Sequence, residues 1–372
     1  MKSTTILVNE SITHRLGRIE GLNFARFLAF FGMVLVNFKI VMLPAGVGTF
    51  GAVGWFFDAL EGRAAALFVI LAGIGLGLTV KITELNYNGE TRDFTVGTLK
   101  RGMFLFAVGM LNSIIFNADI LHYYGVYFLF AAFLAPLSGR VIKSLIIGIL
   151  AAATIMLLML NFDAGWDWKT YDYEDFFTVE GGLRNLFYNG WHPVIPWLGF
   201  LLFGVLLSRL NLTSKQLQIK MIVGGLAVTL IGYSLSSGII TALFNSGDEP
   251  LMQLIPVFSM GPVPATILYM ISASASACAV IAASIIFCKK FAKFSIVKAV
   301  GIAGRQTLTL YILHIYLGMG LMEMTGIAGK STVNVSLLTS VLFVFVAVIG
   351  CNIWSQFFKA GALETVMRKI TG

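Results

Sequence analysis

The residues able to do chemistry in this chain are few, and they stand in long apolar surroundings. His192 lies in Trp191-His192-Pro193-Val-Ile-Pro196-Trp197, where Pro marks the first turn of a helix because its missing N–H costs no hydrogen bond there. The free amides and dipole of a helix start favour a neutral ring, which is the form a general base needs near pH 7. Asp119 and His122 are one turn apart in Asp119-Ile-Leu-His122-Tyr-Tyr124. Either the two meet, with the carboxylate orienting the imidazole and holding its tautomer, or the aspartate caps a helix beside an interfacial histidine. His314 falls near the middle of an apolar run, where an ionisable side chain is a functional candidate, though an interhelical hydrogen bond to Ser or Tyr would satisfy it equally well.

Arg26 and Asn37 share the first apolar run, Gly21 to Leu43. Eleven residues of helix separate them, so Asn37 lies roughly 16 Å deeper than Arg26 on nearly the same face. Two readings follow. Asn37 and Lys39 lie at the outer interface, with Lys39 snorkelling, or Arg26 and Asn37 line a polar cavity running inward.

The elements that must position these residues are set by composition. A mean hydropathy of +0.87, with 58% hydrophobic and 12% charged residues, excludes an ordinary soluble domain, in which about 25% of residues are charged. Apolar runs of about 20 residues predict an all-α polytopic helical bundle of ten membrane spans, near 22–43, 63–80, 99–116, 119–137, 144–161, 193–209, 220–243, 264–288, 304–322 and 334–356. Residues 1–372 then form one integral-membrane domain, with an interfacial arm at 1–20, a longest external loop at 161–191 and an amphipathic tail at 359–372. Placing both termini in the cytoplasm leaves only Lys39, Arg63, Lys169, Arg184 and Lys330 outside among 26 Lys and Arg. The net charge of +8 thus reflects inner-leaflet attraction, and no nucleic acid is needed to explain it.

Other features carry lesser expectations. Lys81 to Arg101 reads as a cytoplasmic loop, and Pro44 to Gly51 as a flexible external one. Gly73, Gly75 and Gly77 and the run from Ser272 to Cys278 suit close helix packing. The aromatic and acidic external segment, with Trp166, Trp168, Tyr171 and Tyr173, either stacks on sugar rings or rests at the headgroups. Cys278, Cys288 and Cys351 fall inside spans without disulfide or zinc spacing, so no metal site is expected. The first apolar run lacks a nearby small-residue cleavage site and reads as a retained span. Phosphate-loop, dinucleotide and nucleophile-elbow motifs are absent from the sequence.

Several blocks occur in a telling order: Arg18-Ile-Glu-Gly-Leu-Asn-Phe-Ala-Arg26, Met33-Val-Leu-Val-Asn37, Asp119 to Gly125, His192 to Trp197 with Gly204 and Arg209, Gly304-Arg305 to His314, and Gly361-Ala-Leu-Glu364 with Arg368. In that order they resemble bacterial relatives of the heparan-α-glucosaminide N-acetyltransferase catalytic domain, within the transmembrane acyltransferase superfamily. The resemblance implies transfer of an acyl group, typically acetyl from cytoplasmic acetyl-CoA as co-substrate, to an amino or hydroxyl group of an external glycan or sugar-like acceptor. It further implies that Arg26, Lys100, Arg101, Arg209 and Arg305 bind the CoA phosphates, with His314 deeper on the donor path, and that Asn37 stabilises a developing oxyanion. An inner-membrane enzyme without a tightly bound cofactor is expected, and a homodimer is compatible with it.

One departure stands out. Members of the family carry a histidine about ten residues beyond the asparagine, and Phe38 to Arg63 contains none. His192 or His122 then supplies the base, or Glu61 does, or acetyl transfer is absent; His192, with Asp119 and His122 in support, is the favoured choice. The rival class is a transporter or flippase of a polar lipid or sugar, with Asn37, Lys39, Glu61, Arg63 and His314 along its path. A non-catalytic scaffold is the weakest alternative.

Overall fold

The computed structural model describes residues 19–44, 51–86 and 91–371, and they form a helical bundle. Its first six helices are α1 (Glu20–Met42), α2 (Gly51–Leu60), α3 (Arg63–Asn86), α4 (Arg92–Ser113), α5 (Leu121–Leu134) and α6 (Gly139–Met159). A small hairpin, β1 (Trp166–Asp167) with β2 (Asp172–Tyr173), precedes α7 (Val179–Arg184), which runs into a π-helical turn, Asn185–Asn189. Then come α8 (Val194–Ser208), α9 (Lys215–Asn245), α10 (Ile267–Lys290), α11 (Ser295–Ala303) and α12 (Thr307–Leu313). A second π segment, His314–Met319, joins α12 to α13 (Gly320–Thr325), before α14 (Val333–Trp354) and α15 (Ala362–Thr371).

The hub is α1. Phe30, Val34 and Phe38 on it are fully buried, and it packs against α3, α10, α11, α12 and α14. Helix α3 repeats this role one layer over, against α1, α8 and α10. Its contact with α8 is set by glycine, since lipid gives helices no hydrophobic reason to associate and close packing must supply one. A Cβ on Gly73 would stand 2.0 Å from the Leu201 carbonyl oxygen, and one on Gly204 would stand 2.1 Å from that of Ile70. Gly77 meets Ser208 in the same way, whereas Gly75 faces the Arg26 guanidinium. Two of the three glycines therefore pack helices, and the third makes room at a cavity.

This is a multi-pass membrane protein. Among the described residues eight stretches are long and apolar enough to cross a bilayer by length and composition: Glu20–Met42, Gly51–Thr83, Arg92–Ser113, Gly139–Met159, Lys215–Asn245, Ile267–Lys290, Thr307–Thr325 and Val333–Trp354. Two of the ten expected spans have another form. Residues 179–189 and 194–208 make a pair bent by 46°, and α5 has only 14 residues, short of the ~20 a crossing needs. Both lie inside the bundle: α5 packs on α4 and α8, while α6 and α9 present apolar faces outward.

One connection differs from expectation, and two further segments are placed by the structure. Helix α3 runs on to Asn86 and α4 begins at Arg92, which leaves little of a loop between Lys81 and Arg101. Trp55 to Leu60 belongs to α2. The tail helix α15 is docked against α4 and α12, because the Glu364 carboxylate accepts from the Leu308 and Thr309 amides (2.8 and 3.2 Å) and from the Thr309 hydroxyl. The arm at 1–18 and the centre of the expected loop at 45–50 lie outside the described residues.

Candidate functional site

Asn37 and His314 meet across the interface of α1 and the π segment. Asn37 Nδ2 stands 3.0 Å from His314 Nε2, and His314 Nδ1 bonds the Tyr311 carbonyl oxygen one turn back. A carbonyl only accepts, so Nδ1 carries the proton and Nε2 accepts from the amide. That uses one hydrogen of the Asn37 amide and leaves the second for another partner. Phe30 and Phe38 enclose the imidazole, with ring centroids 6.2 and 6.4 Å away, and His314 is fully buried. The π register at His314 breaks the helical ladder where the side chain is aimed, a placement such turns often have at functional sites.

A second cluster is centred on Asp119, which is also fully buried. Its Oδ1 accepts from Asn112 Nδ2 at 2.6 Å and from the Tyr311 hydroxyl at 3.1 Å. Its Oδ2 accepts from the His122 backbone N–H and from His122 Nδ1, both at 3.1 Å. The carboxylate therefore meets the ring and also accepts from an amide at the start of α5, and His122 is buried where the second reading put it at an interface. Tyr311, to which the sequence alone assigned no role, ties the two clusters together: its hydroxyl reaches Asp119 and its carbonyl holds His314. The signal for it is the i, i+3 spacing to His314, which puts both on one face of a helix.

Toward one end of the bundle, Asn37, Glu61, Gly62, Trp191, His192 and Tyr311 line a cavity of ≈ 70 Å³. The His192 ring rests edge-on against Trp197 at 4.5 Å, and its backbone carbonyl accepts from the Tyr127 hydroxyl. Its position differs from expectation in one respect: Ile195 has non-helical angles, so regular helix begins only after the ring. His122 does not line this cavity. It lies behind, stacked on Tyr123 at 3.9 Å, with Tyr123 in turn 5.9 Å from His192. At the rim Lys39 Nζ is 3.0 Å from Asp58 and 3.8 Å from Glu61.

Above the cavity, the aromatic segment forms an ordered cap. Asn189 pins it: the amide donates to the Phe162 and Ala164 carbonyls (2.7 and 2.8 Å) and accepts from the Tyr173 hydroxyl (2.7 Å), while Trp166 Nε1 donates to its backbone oxygen (2.7 Å). Burial raises the Tyr173 hydroxyl above its usual range, opposed by the Arg184 guanidinium bonded to it. Trp166 stacks on Trp168 at 4.6 Å and stands edge-on to Trp191 at 5.2 Å, so the cap runs directly into the cavity wall.

At the opposite end a cavity of ≈ 360 Å³ is lined by Arg26, Arg101, Arg305, Tyr124, Gly75 and Glu364. The one carboxylate there is committed to the amides of α12, which leaves the lining strongly cationic. A neighbouring cavity of ≈ 390 Å³ shares Arg101 and adds Lys100. Arg209 lies apart from both: its Nη2 donates to the Ala135 and Leu137 carbonyls at 3.0 and 2.5 Å and so caps the end of α5. The structure thus brings Asn37 together with His192 and His314, and Arg26 with Arg101 and Arg305. It does not bring Arg209 to the cationic group, and His314 joins the asparagine. The 70 and 360 Å³ cavities share no lining residue: Tyr311 lines the first and Leu121 the second, while Phe30 and His314, fully buried, line neither. Among the described residues no group of three or more His, Cys, Asp or Glu is placed to hold a metal, and the three cysteines are free.

Comparison with known families divides the chain in two. The family described as heparan-alpha-glucosaminide N-acetyltransferase, catalytic, matches residues 18–240. One described as a protein of unknown function (DUF418) matches residues 212–372. The two overlap within α9, and the site draws on both: Asn37, Asp119 and His192 from the first, Arg305, Tyr311 and His314 from the second. No curated protein matches the chain.

Proposed function

The chain belongs to the family of the heparan-alpha-glucosaminide N-acetyltransferase catalytic domain, and on that premise we propose that it moves an acyl group, typically acetyl, from cytoplasmic acyl-CoA to an amino or hydroxyl group of a sugar-like acceptor across the inner membrane. The observation that carries this reading is the shared outer cavity of Asn37 and His192, with Asn37 bonded to His314 in the sealed layer just inside it. A pore has little use for an amide and an imidazole at a closed point; a group-transfer site needs both.

Each residue has a role in this reading. Arg26, Arg101 and Arg305, with Lys100 in the adjoining cavity, pair with the CoA phosphates, for which guanidinium forks are suited. The cationic end faces the cytoplasm, as the distribution of Lys and Arg supports, with both termini on that side. The second N–H of Asn37 donates to the thioester oxygen as negative charge develops on it. His192 takes the proton of the acceptor. Asn112, Asp119 and Tyr311 position His314 and, through it, Asn37. Arg209 holds α5 in place and is outside the chemistry.

The transporter alternative is weakened by its own residues. Lys39 is spent on Asp58 and Glu61, and Arg63 on the Ser272 and Ser276 hydroxyls (3.0 and 3.1 Å) with its guanidinium over Tyr233. The deciding experiment is acetyl-CoA binding and turnover by the purified protein in lipid nanodiscs. Saturable binding, weakened by Arg305→Ala and followed by acceptor-dependent CoA release, is expected. Binding of sugars or lipids with no affinity for the nucleotide end of CoA would overturn the assignment.

A further inference from the structure

Four polar atoms at the outer end of the bundle are buried without a hydrogen-bond partner: Nε1 of Trp191, Nδ1 of His192, Nε1 of Trp197 and the hydroxyl of Tyr269. Trp197 and Tyr269 are 0% exposed. Two of the four line one cavity, and the other two stand beside residues that line it. Trp191 and His192 line the 70 Å³ cavity, and Trp197 is 4.5 Å from the His192 ring. The Tyr269 hydroxyl lies 2.5 Å from where a Cβ on the cavity-lining Gly62 would stand. Buried polar groups in folded chains nearly always have partners, so a concentration of orphans around one cavity marks the seat of a polar ligand.

We infer that this seat takes a primary hydroxyl at the free end of the acceptor, so that the product is an ester and not an amide; the inference rests on the acyl-transfer reading and narrows it. An indole N–H only donates, so the ligand must bring lone pairs. A protonated amine has none. A neutral amine has one, and attack on the thioester carbon uses it. A hydroxyl oxygen has two: one attacks while the other accepts from Trp191, and the proton passes to His192. The new C–O bond forms at the acyl carbon as the C–S bond breaks, and with its proton returned to sulfur the donor leaves as the CoA thiol.

Charge and size agree with this. Glu61, the single carboxylate in the described lining, is paired with Lys39 at 3.8 Å and makes no dedicated ammonium site. A cavity of ≈ 70 Å³ is far below the ~300–1,000 Å³ of pockets that enclose a whole ligand. It admits a hydroxymethyl group and leaves a sugar ring outside. The ring then lies on the cap, where Trp166 and Tyr171 stand 5.2 and 5.9 Å from Trp191 and Tyr171 is 43% exposed.

Glucosamine carries both nucleophiles on one ring and so tests the choice directly. The full chain in nanodiscs is given acetyl-CoA with glucosamine, methyl glucoside or the 6-deoxy form of methyl glucoside, and products are read by mass spectrometry with and without hydroxylamine. Hydroxylamine-labile acetyl on the primary hydroxyl, none on the 6-deoxy glucoside, and a KM for methyl glucoside raised about tenfold in Trp191→Phe at unchanged acetyl-CoA affinity are expected. Hydroxylamine-stable acetamide as the main product overturns the inference and leaves acyl transfer standing. So does an unchanged KM in Trp191→Phe, or bound acetyl-CoA with no hydroxyl acetylated. Failure to bind acetyl-CoA removes the underlying reading itself.

Discussion

Replacing Asn37 by Leu removes one amide at nearly constant volume, and the structure separates what that does to catalysis from what it does to folding. Its Nδ2 has two hydrogens, one on His314 Nε2 at 3.0 Å and one toward the outer cavity. Loss of an oxyanion donor of this kind costs ~10²–10³ in kcat, about 2.7–4 kcal/mol. The folding cost comes from His314, whose ring is fully buried and whose Nε2 loses its donor. An orphaned buried acceptor costs about 1–3 kcal/mol, and the low end applies here because the site borders a cavity that admits water. His314 Nδ1 keeps the Tyr311 carbonyl, so the ring stays in place. Asn37→Leu should therefore lose roughly two to three orders of magnitude in CoA release by a thiol assay. KM for acetyl-CoA should be unchanged, because the arginines that hold the donor line a different cavity, and the melting temperature should fall by about 2 °C or less. Turnover within about threefold of the parent, in a protein with an unaltered melt, would refute the argument that Asn37 faces developing charge.

Other expectations follow from single contacts. Tyr311→Phe strips Asp119 of a donor and the Ile120 amide of its acceptor (3.2 Å), both buried, and should cost about 1–3 kcal/mol in stability, visible as a lowered melt with reduced kcat. Arg305→Ala should raise KM for acetyl-CoA ~10- to 100-fold with little change in melting, since a charge-assisted hydrogen bond contributes about 1.5–3 kcal/mol. Arg209→Ala should do the reverse, lowering the melt through the uncapped carbonyls of α5 while KM stays constant; a raised KM would return Arg209 to the donor site. Glu364→Ala should free α15 from α12, read as at least about tenfold faster amide exchange across residues 362–371, and unchanged protection would mean that other contacts hold the tail.

Much of this arrangement was legible in the chain itself, because apolar length and small-residue spacing act locally. The spans around α1, α6, α9, α10 and α14 follow from hydropathy, and the α3 glycines foretold the approach to α8. The 11-residue separation of Arg26 and Asn37 left an interfacial position or one shared cavity open, and the two residues line different cavities. Partners far apart in sequence were not accessible in this way. Nothing local distinguishes Arg209, which caps α5, from Arg305, which lines a cavity; both are arginines beside a helix end. The bond between Asn37 and His314 joins residues 277 apart, and His314 was accordingly read as part of the donor path. Hydropathy likewise gave no sign that α5 stops at 14 residues or that α8 follows residues 179–189 at a 46° bend.

The gap between the two cavities bears on how such a protein can work at all. A single open crevice, basic at one end and lined by His192 at the other, would suit access but would also let water and ions through a bilayer that must stay sealed. In the structure the two cavities share no lining residue, and Tyr311, which lines the first, belongs to a buried layer with Phe30 and His314, which line neither. That layer is polar at its centre and not merely packed, since Tyr311 and His314 sit in it with satisfied hydrogen bonds. The hydrogen bonds of Tyr311 and His314 tie this layer together, although Asn112 Oδ1 and His122 Nε2 beside it are buried without a partner, and Asn37 has a second N–H beyond its bond to His314. Under the proposed chemistry the acyl group alone, a few atoms in size, has to reach this point, and the charged remainder of CoA stays among the inner arginines. The seal and the reaction centre are then the same residues, so loosening Tyr311 should cost turnover and tightness together.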